Sequence, residues 1–153
     1  MQVITNEDLM IANIDVQDRE SVIIALGSRL LQNGYVSDGF IEAVLQRERD
    51  FPTGLPTEIP IAVPHTDAGY CNQNAIAVAT LHNTVPFLEM GNSENELQVS
   101  IVFMLAIQEP KEQIQWLQKL VTIFKDKNSL EDLRAAEDSR TLSKSINGIL
   151  NKE

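Results

Sequence analysis

The chain has 153 residues, 43% of them hydrophobic, enough for a single domain spanning 1–153 with a real core. It carries 22 acidic residues against 12 Lys and Arg, a net charge of −10; such a surface repels phosphate backbones and anionic lipids, which sets nucleic acid and membrane surfaces aside as partners. The one cysteine, Cys71, excludes an internal disulfide and fits a reducing, cytoplasmic compartment.

The opening "MQVITNEDLMIANID" lacks a basic region ahead of an apolar core and does not read as a signal peptide. No element is assigned to it. Asp18 can cap a helix through "RESVIIALGSRLLQN", with Val22, Ala25, Leu26, Leu30 and Leu31 on one face and Gly34 as its stop. Ser37 can cap a second helix, "DGFIEAVLQRERD", with Phe40, Ile41, Val44 and Leu45 inward and Pro52 ending it. The pattern then changes. "PIAVP" (60–64) reads as a short strand bounded by prolines, near a sheet edge. "AIAVATLH" (75–82) and "LQVSIVFMLAI" (97–107) read as strands, "TVPFLE" (84–89) as a further short one, and "EMGNSENE" as a turn. The continuous aliphatic run of 97–107 is expected for a strand covered on both faces and is too short to span a bilayer as a helix. From Pro110 the helical period returns, with Ile114, Leu117, Leu120, Val121 and Phe124 as the stripe; "SLEDLRAAE" and "TLSKSINGILN" complete two shorter helices. Helices, strands and helices in that order predict an α/β layered sandwich, a central mixed β-sheet of about five strands flanked by helices on both faces.

His65 stands out as a candidate for chemistry. A neutral imidazole is a nucleophile, a base or a metal ligand. Pro64 fixes its own φ and forces Val63 to be extended, so the backbone presenting His65 is rigid, and Thr66 and Asp67 follow at a turn. The bland alternative is a histidine that caps a strand end. Arg47 and Arg49, late in the second helix, are either solvated charges at a helix C-terminus or a guanidinium that meets an oxyanion near His65. His82 alternates with apolar residues of its strand and reads as structural or exposed. Cys71 lies in a polar loop with nothing to activate it. Trp116 falls off the apolar stripe and reads as a core flank or an exposed anchor. No glycine-rich phosphate loop, no G-x-S-x-G elbow and no His or Cys metal spacing occurs, so neither a nucleotide nor a metal cofactor is expected.

Taken together, "AVLQRERDFPTGL" and "IPIAVPHTD" resemble the enzyme IIA domains of the fructose–mannitol class of the bacterial sugar phosphotransferase system. There a helix ending in leucine–x–arginine–glutamate runs into proline–threonine, an apolar strand and a proline–histidine pair. The resemblance extends over most of the chain. It implies that His65 accepts a phosphoryl group from the phosphocarrier HPr and passes it to a cysteine of enzyme IIB, driving uptake of a sugar or polyol. It places Arg47 near the histidine and gives Thr53, Thr66 and Gln113 phosphate-stabilising roles. Thr66 stands where glycine is usual, and Gln113 where many relatives have a second histidine; both look most like the galactitol-type branch. Such chemistry needs alignment and charge stabilisation rather than a cofactor. The ring is expected to be exposed and stiff, ringed by Phe51, Leu55, Ile59 and Val63, of which Leu55 is the most exposed. The competing readings are a regulatory module that signals through the same phosphohistidine, and a ligand-binding or structural domain with an inert His65.

Overall fold

The computed structural model of the protein describes residues 3–150. In chain order its main elements are β1 (Met10–Ile14), α1 (Arg19–Gln32), α2 (Phe40–Asp50), β2 (Gly54–Leu55), β3 (Ile61–Ala62), β4 (Ala75–Glu89), β5 (Asn92–Ala106), α3 (Pro110–Ile123), α4 (Lys127–Ala135) and α5 (Ser139–Leu150).

The sheet is organised by the antiparallel hairpin of β4 and β5, which turns through Met90 and Gly91, the glycine at φ 78°. On one side β1 lies parallel to β4, Met10 opposite Val78. On the other, β3 lies parallel to β5, Ile61 opposite Ile101 and Ala62 opposite Val102. β2 pairs antiparallel with β3 and reaches back to the end of β4 through Gly54 opposite Glu89. The result is the mixed, five-stranded sheet expected.

Side-chain alternation along the hairpin explains why helices cover both faces. Ala75, Ala77 and Ala79 of β4 join Val102, Met104 and Ala106 of β5 on one face, against Val22, Leu26 and Leu30 of α1 and Phe40 and Val44 of α2. The small residues let α1 and α2 approach closely. Ile76 and Val78, with Ile101, Phe103 and Leu105, point the other way into a bulkier core closed by Trp116 and Leu120 of α3, by Phe124 just past its end, and by α4 and α5. Phe103 and Phe124 stack there, ring centroids 4.4 Å apart.

Several local expectations change. β1 was not anticipated: it is only five residues long and its regularity is broken at Asn13, which takes φ 58° and donates its N–H to the buried Thr80 hydroxyl at 2.8 Å. The stretches 75–82 and 84–89 are one strand, and "NSENE" belongs to β5 rather than to a turn. Asp18 caps α1 as read, accepting from the Ser21 N–H at 2.8 Å. Ser37 does not cap α2. Gly39, at φ 93°, holds that position, and the Ser37 hydroxyl donates to the Tyr70 carbonyl. The buried face of α3 is rotated from the predicted stripe: Trp116 is 2% exposed and Ile114 58% exposed. Leu120 and Phe124 are buried as expected and Leu117 and Val121 pack against the same core, with the Trp116 indole taking the inward place expected of Ile114.

Candidate active site

The segment that presents His65 is pinned residue by residue. Pro60 and Pro64 have no N–H to offer, so they can only accept, and β5 supplies the donors: Ser100 N–H to Pro60 at 3.0 Å and Leu105 N–H to Pro64 at 3.1 Å. The Val63 N–H donates to the Thr53 carbonyl at 3.3 Å, tying the segment to the start of β2. Beyond His65, the side-chain amide of Gln113, in the opening turns of α3, donates to the Thr66 carbonyl at 2.8 Å.

The imidazole is stiff, but it is not exposed. His65 is 6% exposed, because the chain on either side is drawn against β5 and α3. Its Nδ1 lies 2.7 Å from the Val63 carbonyl oxygen. A carbonyl only accepts, so Nδ1 carries the proton and Nε2 carries a lone pair. Burial lowers the His65 pKa below its ordinary 6.5; the Val63 bond opposes this, the Arg47 charge adds to it and Asp67 opposes it. The ring is therefore neutral near pH 7.

Arg47 belongs to the last turn of α2. Its guanidinium lies 5.2 Å from the centroid of the Phe51 ring and 3.9 Å from the carboxylate of Asp67, and its Nε is buried without a partner. With Phe51, Thr66, Asp67 and Tyr70 it lines a shallow cavity of about 310 Å³. Arg49 points elsewhere: its Nη2 donates to the Gln46 side chain at 3.0 Å on the exposed side of the helix.

Thr53 departs from its expected role. Its hydroxyl donates to Glu48 Oε1 at 2.7 Å and its N–H to Glu48 Oε2 at 2.8 Å. A threonine has one hydroxyl proton, and here it is committed to a carboxylate, so Thr53 shapes the site from behind rather than donating to a phosphoryl oxygen. Glu48 is the residue that sequence reasoning passed over. It is 5% exposed, and burial pushes its carboxyl up to about 7 against the bonds from Thr53. The signal was present: Glu48 sits at i+4 from Val44, on the inward face, where a carboxylate requires a partner.

The apolar rim also differs. Leu55, Ile59 and Val63 are buried, and Phe51 is the exposed member at 63%. β2 and β3 take their hydrophobic side chains into the sheet, whereas Phe51 follows the last turn of α2 and has no layer to enter. His82 is exposed, with Nδ1 3.3 Å from the Asn13 side-chain oxygen. Burial pushes the Cys71 thiol up to about 11, leaving it protonated and unreactive. Among the described residues no group of three or more His, Cys, Asp and Glu is placed to hold a metal ion, and no helix is long and apolar enough to cross a membrane.

A helix-covered mixed sheet with this hairpin and this strand-end histidine defines a domain of the enzyme IIA class. The fold superposes on enzyme IIAMTL in a solved complex with phosphorylated enzyme IIBMTL from Escherichia coli, with a TM-score of 0.79 at 21% identity over 96% of this chain and 99% of that one. The sequence goes further. Residues 3–148 match the family described as phosphoenolpyruvate-dependent sugar phosphotransferase system, EIIA 2, and the chain belongs to that family. It is 31% identical over 123 residues to the galactitol-specific EIIA component of Escherichia coli K12, covering 80% of this chain and 81% of that protein. It is also 34% identical over 103 residues to the transcriptional regulator ManR of Bacillus subtilis, covering 67% of this chain but 14% of ManR. The protein is thus a phosphoryl-carrying component of a sugar phosphotransferase system, which transfers phosphate by way of a histidine.

Proposed function

We propose that His65 is that histidine: it takes a phosphoryl group on Nε2 from phospho-HPr in the cytoplasm and delivers it to a cysteine of an enzyme IIB serving a polyol of the galactitol type. The observation that carries the assignment is the bond between His65 Nδ1–H and the Val63 carbonyl, which leaves Nε2 as the ring's nucleophile.

The Nε2 lone pair attacks phosphorus in line, and the donor's bond to phosphorus breaks with its electron pair leaving on the donor. In the second half the cysteine thiolate of enzyme IIB attacks, the Nε2–P bond breaks and the pair returns to Nε2. Nδ1 keeps its proton throughout, so no separate base is needed. Arg47, with an unpartnered Nε, supplies charge to the equatorial oxygens. Gln113 holds the Thr66 peptide in place through its carbonyl, and the Thr66 N–H and hydroxyl serve as donors to the phosphoryl oxygens. The polyol class rests on the galactitol-specific relative, and the enzyme IIB partner on the complex that enzyme IIAMTL forms with phosphorylated enzyme IIBMTL.

The test is incubation with phosphoenolpyruvate, enzyme I and HPr, followed by addition of a galactitol-type enzyme IIB. The expected result is a base-stable, acid-labile phosphate on His65 that moves to the cysteine. The likeness to ManR favours a second reading, in which the phosphohistidine regulates a binding partner; label that loads on His65 but moves to no enzyme IIB would select it.

A further inference from the structure

Glu48 is the one buried carboxylate among the buried polar residues described, and the phosphoryl-transfer chemistry above makes no use of it. It follows Arg47 directly on α2 and ends a continuous chain of hydrogen bonds. Both oxygens of Glu48 accept from Thr53, the Thr53 carbonyl accepts from the Val63 N–H, and the Val63 carbonyl accepts from His65 Nδ1. Two of these links are side chain to backbone, and every one lies on the buried side of the site.

We propose that Glu48 is a positioning residue for the acceptor histidine: by gripping both donors of Thr53 it fixes the Thr53 and Val63 peptides, and through them the tautomer and tilt of the His65 ring. This rests on the reading of His65 as the phosphoryl acceptor. Each step has a geometric reason. A carboxylate is the one side chain that accepts two bonds in parallel from the N–H and the hydroxyl of a single residue. That grip stops Thr53 from rotating about its own backbone. β2 begins at the next residue, and Gly54 leaves no slack there, because a Cβ at that position would stand 2.6 Å from the Leu88 carbonyl oxygen. Thr53 is therefore clamped between Glu48 and the end of β4, and the only route by which its carbonyl acts on the site is through Val63.

The burial that holds Glu48 against Thr53 also raises its carboxyl to about 7, which makes the chain observable by titration. The charged groups that face Glu48 from another element are Arg19, which favours its ionised form, and Glu20, which opposes it, both in the first turn of α1. Arg19 is shared with Glu20 at 3.8 Å and with the Pro86 carbonyl at 3.2 Å, so it moderates the Glu48 charge without replacing Thr53 as its partner. Protonation would reverse the hydroxyl bond, with the acid donating to Thr53 Oγ1, and would weaken the bond from the Thr53 N–H.

The test has two arms. In the wild-type protein, nuclear magnetic resonance follows the Glu48 carboxyl carbon, the Thr53 amide and the His65 ring nitrogens from pH 5.5 to 8.5. All three should respond with a shared midpoint near 7, and Glu48→Gln should remove that midpoint from Thr53 and His65. In the kinetic arm, single-turnover phosphorylation by phospho-HPr is measured at saturating donor. Glu48→Ala should slow the transfer step roughly tenfold or more, as expected for a misplaced reacting group, with donor affinity unchanged. Glu48→Gln, which can still pair with both groups of Thr53, should recover most of the rate. Thr53→Val, which keeps the N–H and loses the hydroxyl, should fall between them. If Glu48→Ala does not fold, the titration and Thr53→Val decide alone. His65 nitrogens blind to the Glu48 midpoint, or a folded Glu48→Ala that transfers at the wild-type rate, would overturn the proposal. A wild-type protein that takes no phosphoryl group at His65 would instead overturn the acceptor assignment, and the titration would still report whether the coupling exists.

Discussion

Val63 and His65 are joined across Pro64 by a 2.7 Å bond from the ring Nδ1 to the main-chain carbonyl. Pro64 holds the peptide between them at a fixed φ, and its own carbonyl is tied to β5. The ring is thus oriented by direct contact with the backbone two residues before it, and the Val63 carbonyl is the group through which its tautomer is set.

The phosphoryl bond is therefore expected on Nε2. Nitrogen-15 spectra of the phosphorylated protein should show Nδ1 still protonated and Nε2 bonded to phosphorus. His65→Ala should leave the fold intact and abolish acceptance of label. A phosphoryl group found on Nδ1 would contradict the bond to Val63.

Arg47 and Arg49 should separate cleanly. Arg47 lines the cavity beside Thr66 and Asp67, whereas Arg49 contacts Gln46 on the solvent side. A charge-assisted contact to a phosphoryl group contributes about 1.5–3 kcal/mol. Arg47→Ala should therefore slow transfer roughly ten- to a hundredfold. Arg49→Ala should alter at most the salt dependence of encounter with the donor. Single-turnover transfer at low and high salt measures both, and a crippled Arg49→Ala beside a normal Arg47→Ala would require the site to be redrawn.

Gln113 acts on the Thr66 peptide, so its loss should loosen the loop without removing a charge. A neutral hydrogen bond contributes about 0.5–1.5 kcal/mol net, which corresponds to a two- to tenfold slower transfer for Gln113→Ala. Crystallographic or hydrogen-exchange data should show the change concentrated at Thr66 and Asp67. A loss of several orders of magnitude would give Gln113 a direct part in the transfer.

Glu48 should leave a signature in stability against pH. Its carboxyl is raised in the fold from 4.5 to about 7, so the folded chain holds that proton more tightly than the unfolded chain. The contribution is present in full below the unfolded value and is lost as pH rises to about 7. At about 1.4 kcal/mol per pH unit, the loss between pH 5 and pH 8 is roughly 2–3 kcal/mol. Glu48→Gln should lack this slope. Urea denaturation of both proteins at the two pH values provides the comparison, and parallel curves would show that Glu48 ionises normally.

What the sequence displayed and what it hid follow from how local each signal is. Asp18 at an N-cap, the prolines around 60–64 and the aliphatic run of β5 act through neighbouring residues, and the order of helices and strands was legible from them. β1 was hidden because it exists through its pairing with β4, more than sixty residues on. The inward turn of Trp116 and the burial of Leu55 depend on which neighbours happen to stand opposite, information that no helical or alternating period contains. The pair of Glu48 with Thr53 was half legible: the spacing from Val44 marks position 48 as inward, but nothing local marks its partner. "RERD" looks like a solvated run of charges, and only the chain's return to Thr53 at the foot of α2 gives the inward one its partner.

The two-residue turn at Met90 and Gly91 has a consequence for the order of assembly. The β4–β5 hairpin closes between sequence neighbours and can form early, whereas β1 and β3 must return across long stretches of chain to dock on its two sides. The segment bearing His65 is held through β3, so it is completed only once the hairpin stands. Opening of the native protein should then run in reverse: amides of Thr53, Val63 and the residues around them should exchange with solvent sooner than those in the middle of the hairpin. The protein would lose its reactive centre before it loses its scaffold, and hydrogen exchange under mild denaturant would reveal the two stages as separate events.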